Sequence, residues 1–328
     1  MSAACARNWN RLRIAHAISR RSRVSAMSSA DHERRRRIIR ILRVFAVVLV
    51  FLLIFLPFAL GFMAMWVLTK APCAGGHLPS EYGMTDFEAV TFPSMSLPQD
   101  IDGFLVHGTN GITIILPPAL STGAGNWRPD YVVLNRHGYS LLSYESPNCA
   151  GGTNSLGYQE VEQVGDALHY LATRPDIDMN RIGIHGFSAA GATSLMAAAR
   201  YPSLKAVIAM GGYHDFGATL EVETNGAWYG ALYAAGTRVG YRLATGEDIS
   251  VLSPIATISK IAPRPILLIY GTREPSLAGA HLQLAAAGPN AELWLVPDAT
   301  HGSYWQHAAE AFETQVIAFL DDAFAIER

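Results

Sequence analysis

The chain has few cysteines and lacks the spacings that bind metals and nucleotides. Three cysteines stand in 328 residues, Cys5, Cys73 and Cys149, and no Cys/His pair has the spacing of a metal site. No Gly-x-Gly-x-x-Gly run and no P-loop occurs, which argues against nucleotide binding. Neither a metal nor an organic cofactor is therefore expected. No internal repeat is present, which argues against a solenoid. Lysine is missing from residues 1–43, where twelve arginines face only Asp31 and Glu33. Charge of either sign is missing from residues 44–69.

The last two absences belong together. The formal net charge is only −2, yet residues 1–43 carry +10 and the remainder −12. The 26 uncharged residues from Val44 to Thr69 rise about 1.5 Å each, roughly 39 Å in all, enough to span a bilayer core of about 30 Å with some tilt. Pro57 and Gly61 are breaks that a membrane helix tolerates, and Trp66 sits where an interfacial aromatic belongs. A cleaved signal peptide would need an apolar core of about 7–15 residues followed by a small-x-small site. This stretch is longer, and Thr69-Lys-Ala-Pro-Cys73 offers no such site. A single-pass transmembrane helix over 44–69 is the expectation. Arg34–Arg37, Arg40 and Arg43 crowd its N-terminal side, against Lys70 on the other. The positive-inside rule then puts the N-terminus in the cytoplasm and everything after residue 69 on the outer side. Residues 1–43 read as a disordered basic arm, suited to anionic lipid headgroups; no interleaved aromatics support nucleic-acid binding. Cys5 falls inside. Cys73 and Cys149 both fall outside, where a disulfide can persist, with two unpaired thiols as the alternative.

Chemistry is concentrated in Arg181-Ile-Gly-Ile-His-Gly-Phe-Ser-Ala-Ala-Gly191. A β-branched run ends at Gly186, Ser188 follows, and small residues lead into a helix. Strand, sharp turn with serine, helix is the geometry that presents a hydroxyl to a substrate. The turn needs small residues two before and two after the serine, and Gly186 and Ala190 supply them. Downstream, the apolar strand Arg264–Tyr270 is followed by Glu274. The apolar strand Ala291–Pro297 runs into Asp298-Ala-Thr-His301-Gly302. Serine, acid and histidine thus follow three strands in the order Ser188, Glu274, His301: a nucleophile, a carboxylate that orients the imidazole, and a general base. Asp215 is the alternative acid. His185, ahead of the turn, reads as a packing residue.

On Gly186-Phe-Ser-Ala-Ala-Gly191, Tyr270-Gly-Thr-Arg-Glu274 and Asp298-Ala-Thr-His-Gly302 the chain resembles the α/β-hydrolase family, in its dienelactone-hydrolase and prolyl-oligopeptidase-like branches. The resemblance runs from about Glu81 to the C-terminus. It implies a mostly parallel central sheet flanked by helices, with a Ser–acid–His triad at the strand C-termini. The family more often has Asp where this chain has Glu274, and Gly where it has Ala190. Relatives also carry His-Gly after the strand that here is Gly111–Leu116, where a backbone N–H helps form the oxyanion hole. Here Pro117-Pro118 follows, and proline has no N–H. The donors implied are therefore the N–H groups of Ala189 and Ala119.

The remaining segments fit this frame. Met84–Ser94 and Ile101–His107 read as strands, with Gly108–Gly111 as a hairpin into Gly111–Leu116. Asp130–His137 reads as a helix, Tyr139–Glu145 as a strand, residues 146–155 as a long loop, Val161–Arg174 as a helix and Leu204–Gly212 as a strand. Residues 70–80 form a stem and 81–328 the hydrolase domain. Within it, 213–262 occupies the position of a cap, whose Trp228 and Tyr229 are candidates for a substrate pocket, packing aromatics being the alternative. The function expected is a membrane-anchored serine hydrolase cleaving carboxylic esters of small molecules through an acyl-serine. The lack of a propeller or other gate argues against a peptidase. An acyltransferase using the same triad and a non-catalytic binding module remain alternatives. The oligomeric state is not legible.

Overall fold

The computed structural model describes residues 3–224 and 226–326, and the chain divides into two compact units, one up to Leu56 and one from Pro57 on. Helix α1, Ala3–Thr69, runs through the first unit and ends in the second. The basic arm expected to be disordered is helical, which corrects that reading. Residues 3–43 contain no glycine and no proline, and alanine, arginine and leucine favour helix. Between His32 and Thr69 the helix is long and apolar enough to cross a membrane. Its large apolar side chains from Val44 to Leu56 are exposed.

The second unit is built on eight strands: β1 Phe87–Phe92, β2 Ile101–Val106, β3 Thr113–Leu116, β4 Ser140–Tyr144, β5 Ile182–Phe187, β6 Leu204–Met210, β7 Ile266–Gly271 and β8 Ala291–Val296. Their order in the sheet is β1-β2-β4-β3-β5-β6-β7-β8. The pairs β1–β2 and β2–β4 are antiparallel, and every later pair is parallel. The central strands read as unbroken apolar runs because both of their faces are covered. Ile115, Leu142, Ile184, Val207 and Leu268 face one core with helices α3 Tyr158–Ala172, α4 Ala189–Arg200 and α7 Leu277–Ala287. Ile114, Leu141, Ile208 and Ile269 face the other with α2 Pro129–Arg136 and α8 Tyr304–Ala323.

The expected hairpin at Gly108–Gly111 does not form. Strand β4 lies between β2 and β3, so the linker crosses the end of β4. Its Thr109 and Asn110 N–H groups donate to the Gly138 carbonyl at the α2–β4 corner, 2.7 and 2.9 Å away. The segment expected as a cap holds α5 Phe216–Glu223, α6 Gly230–Thr245 and three short 3-10 turns. The last turns of α1 pack on α6, with Gly61 and Gly236 at the contact and Thr237 Oγ1 donating to the Gly61 carbonyl at 3.4 Å.

Cys73 and Cys149 are joined in a disulfide across a sequence separation of 76. Around it the stem and the 146–155 loop brace the segment after β3. Asn148 Nδ2 donates to the Ala71 carbonyl (3.0 Å), Ala74 N to Ser121 O (2.7 Å) and Ser146 N to Thr122 O (2.8 Å). Replacing both cysteines by serine is expected to lower stability by about 4 kcal/mol if closure of this loop constrains the unfolded chain. Thermal unfolding with and without the bridge measures this, and an unchanged Tm would contradict it.

Candidate active site

Ser188 sits between β5 and α4 with φ 60° and ψ −125°, a left-handed conformation that a serine adopts only under constraint. Its N–H donates to Met210 O at 2.8 Å, which ties the turn to β6. The turn leaves no room at two flanking positions. A Cβ on Gly186 would lie 2.2 Å from the Ala190 carbonyl oxygen, and one on Gly191 would lie 2.9 Å from Met210 O. Ala190 itself is buried without conflict. After the serine, the position that demands glycine is thus 191, one beyond the usual motif.

The two later loops bring their side chains to the same point. His301 Nε2 lies 3.0 Å from Ser188 Oγ, and His301 Nδ1 lies 3.3 Å from Glu274 Oε2. The loops are laced together: Arg273 N donates to Ala299 O (3.0 Å), Asp298 N to Thr272 Oγ1 (2.8 Å), and Arg273 pairs with Asp298 (2.7 Å). Glu274 is 5% exposed. Burial pushes its carboxyl up, but hydrogen bonds from His301, Tyr304, the Gly271 N–H and Ser276 outweigh that and hold it below the usual range. Gly271 N lies at 2.8 Å from Oε1 and Ser276 Oγ at 3.0 Å from Oε2, while the Tyr304 hydroxyl donates to Oε1. Every lone pair that could turn the carboxylate away from His301 is engaged.

Asp215, the alternative acid, is spent elsewhere. Its Oδ1 accepts from Ala218 N (2.9 Å) at the start of α5. His185 is fully buried, with Nε2 2.8 Å from Asp130 Oδ2, which fits a packing role. Among the described residues, the N–H groups of Ala189 and Ala119 have no hydrogen-bond acceptor, and both residues line space beside Ser188. Two prolines therefore do not strip the 117–122 segment of donors.

Ser188 opens on two chambers. One, of about 480 Å³, is mostly apolar; Leu68, Leu156, Tyr213, Phe216 and Leu282 line it with His301. The other, of about 250 Å³, lies under the 117–122 segment and is lined by Asn126, Arg128 and Tyr144 among others. Trp228 and Tyr229 line neither and stand exposed in the turn before α6, which corrects their assignment to the pocket. The pocket aromatics come instead from Tyr213 and Phe216, just past β6. Sequence reasoning also missed Tyr304 and Ser276, whose link to Glu274 is visible only once α7 and α8 are placed. Cys73, Cys149 and Glu145 form the one cluster of metal-type side chains found among the described residues, but its two sulfurs are bonded to each other.

Solved structures carry the same fold. The esterase Pf2001 of Pyrococcus furiosus superposes with a TM-score of 0.60 at 18% identity, over 76% of this chain and 98% of that one. The α/β hydrolase GrgF of Penicillium sp. sh18 gives 0.57 at 16%, over 73% and 99%. An acylaminoacyl peptidase of Pyrococcus horikoshii gives 0.53 at 16%, over 74% of this chain and 42% of its own. No curated protein matches the sequence significantly. These likenesses establish an α/β-hydrolase fold. The model of the prolyl oligopeptidase family matches residues 131–327, a span that holds the serine turn and both partner loops. By that match over more than half its length, the chain belongs to the prolyl oligopeptidase family of serine hydrolases.

Proposed function

We propose that the protein is a membrane-anchored esterase that acts through an acyl-serine. The observation that carries this reading is the Ser188–His301–Glu274 relay opening directly on an apolar chamber. His301 Nε2 takes the proton of Ser188 Oγ as the oxygen attacks the ester carbonyl. Glu274 holds Nδ1–H and stabilises the imidazolium. The N–H groups of Ala189 and Ala119 receive the oxyanion. His301 then hands its proton to the departing alcohol, and water reverses the sequence to free the acid. The lining by Leu68, Leu156, Tyr213, Phe216 and Leu282 supports a hydrocarbon acyl group. In a series of 4-nitrophenyl esters, kcat/KM is expected to rise from acetate to octanoate. A maximum at acetate would rule out the apolar chamber as acyl site.

The anchor in this reading is the apolar part of α1, with the arginines of its N-terminal side in the cytoplasm. Protease added to intact cells is expected to digest the hydrolase unit. Full protection, with digestion only after lysis, would reverse the proposed topology.

A further inference from the structure

We infer that the smaller chamber beside Ser188 is an anion subsite, which receives a carboxylate or phosphate carried on the alcohol portion of the ester. The inference rests on Ser188 being the nucleophile and goes on to name what it cleaves.

The residues around the chamber carry donors that the protein itself does not use. Arg128, at the start of α2, gives only its Nε to Asp130 Oδ1, at 3.1 Å. Its two terminal nitrogens have no hydrogen-bond acceptor among the described residues. The Tyr144 hydroxyl and the Thr122 hydroxyl are both buried and both without a partner. All three residues line the chamber, with Asn126, and no carboxylate does. A buried hydroxyl without a partner costs free energy unless a ligand completes it. Burial pushes the Tyr144 phenol well above its usual range, so it stays a donor. Two hydroxyls, an amide and the open fork of a guanidinium match the lone pairs of a carboxylate or phosphate.

The guanidinium is also held in place. Its carbon lies 4.0 Å from the ring centroid of Phe187, the residue before the nucleophile. Asp130, which grips the Nε edge, is itself held by the buried His185. The Asp130–His185 pair, idle in the chemistry, thereby aims Arg128 at the nucleophile's side of the chamber. With the acyl chain in the apolar chamber and the carbonyl at Ser188, the alcohol enters this second space.

The test compares charged and neutral alcohol portions on one acyl chain. Substrates are the octanoyl ester of glycolate and 2-octanoyloxyethyl phosphate, each beside its neutral methyl-esterified form, with the full chain in detergent micelles. Wild type is expected to favour at least one anionic ester about tenfold or more in kcat/KM, the worth of a charge-assisted hydrogen bond of about 1.4 kcal/mol or more. Whichever anion is favoured identifies the class. The ratio of anionic to neutral is expected to fall toward one in Arg128→Gln, to recover in part in Arg128→Lys, and to drop several-fold in Tyr144→Phe. No preference in wild type, or an unchanged ratio in Arg128→Gln and Tyr144→Phe, would overturn the inference. Calorimetric binding of glycolate and of 2-hydroxyethyl phosphate, retained in Ser188→Ala and lost in Arg128→Gln, reads the subsite independently of turnover. Absence of binding counts against the subsite alone, while binding without turnover of any ester counts against the catalytic reading.

Discussion

Replacing Ser188 by alanine is expected to lower kcat for ester hydrolysis by about 10⁶-fold, the scale on which loss of a triad nucleophile acts. The size follows from the geometry. Ser188 Oγ is the one hydroxyl within hydrogen-bond reach of His301 Nε2 among the described residues, at 3.0 Å. His301→Ala is expected to cost about as much, and the double variant little more, because the two residues act as one unit. Stability should not fall with Ser188→Ala, since alanine at a left-handed position removes no packing and the Ser188 N–H keeps its backbone bond to Met210 O. Hydrolysis at more than a hundredth of the wild-type rate would contradict the assignment; kcat on 4-nitrophenyl octanoate measures it.

Glu274→Gln is the second large effect, with an expected loss of about 10⁴-fold in kcat and little change in KM. The amide keeps the shape of the side chain but offers an N–H where the imidazole needs an acceptor, and so favours the wrong tautomer. Asp215→Asn should leave kcat near wild type, because Asp215 is engaged at the start of α5. A loss under tenfold in Glu274→Gln, or an equal loss in Asp215→Asn, would show that the acid is wrongly assigned. A pH signature accompanies the kinetic one. The Glu274 carboxyl is held below its usual value when folded. Its contribution to stability is thus present above the unfolded carboxyl's value and is lost as the pH falls through the folded one. Unfolding of wild type on the acid side should depend on pH more steeply than that of Glu274→Gln.

The sheet, and the loops that bring Ser188, Glu274 and His301 together, are legible because they follow from local patterns. β5, β7 and β8 are apolar runs, followed within a few residues by Ser188, Glu274 and His301, and the structure brings these three side chains together. Features that depend on elements distant in sequence leave no such local mark. The Gly108–Gly111 linker has the composition of a hairpin turn, yet β4 outcompetes β3 for the edge of β2, and composition carries no trace of that. Trp228 and Tyr229 have the aromatic character of pocket residues and lie in the cap segment, but both are exposed. The chamber is instead walled by Tyr213 and Phe216, whose proximity to Ser188 comes from following β6 directly. The described part of the basic arm lacks helix breakers, and that lack, rather than its charge, decides its backbone. The smaller chamber was the least visible of all. Thr122, Arg128 and Tyr144 come from three separate elements, and nothing in their spacing announces a common space. Pro117 and Pro118 remove two N–H donors after β3, but Ala119, next along, keeps an N–H without an acceptor among the described residues and lines the space at Ser188.

The central claim is that Ser188 is an activated nucleophile, and covalent labelling by a fluorophosphonate probe tests it most directly. The account predicts rapid stoichiometric labelling of wild type at Ser188, labelling slowed by orders of magnitude in Glu274→Gln, and none in Ser188→Ala. Folded wild-type protein that stays unlabelled, or Ser188→Ala that labels as wild type does, would contradict it.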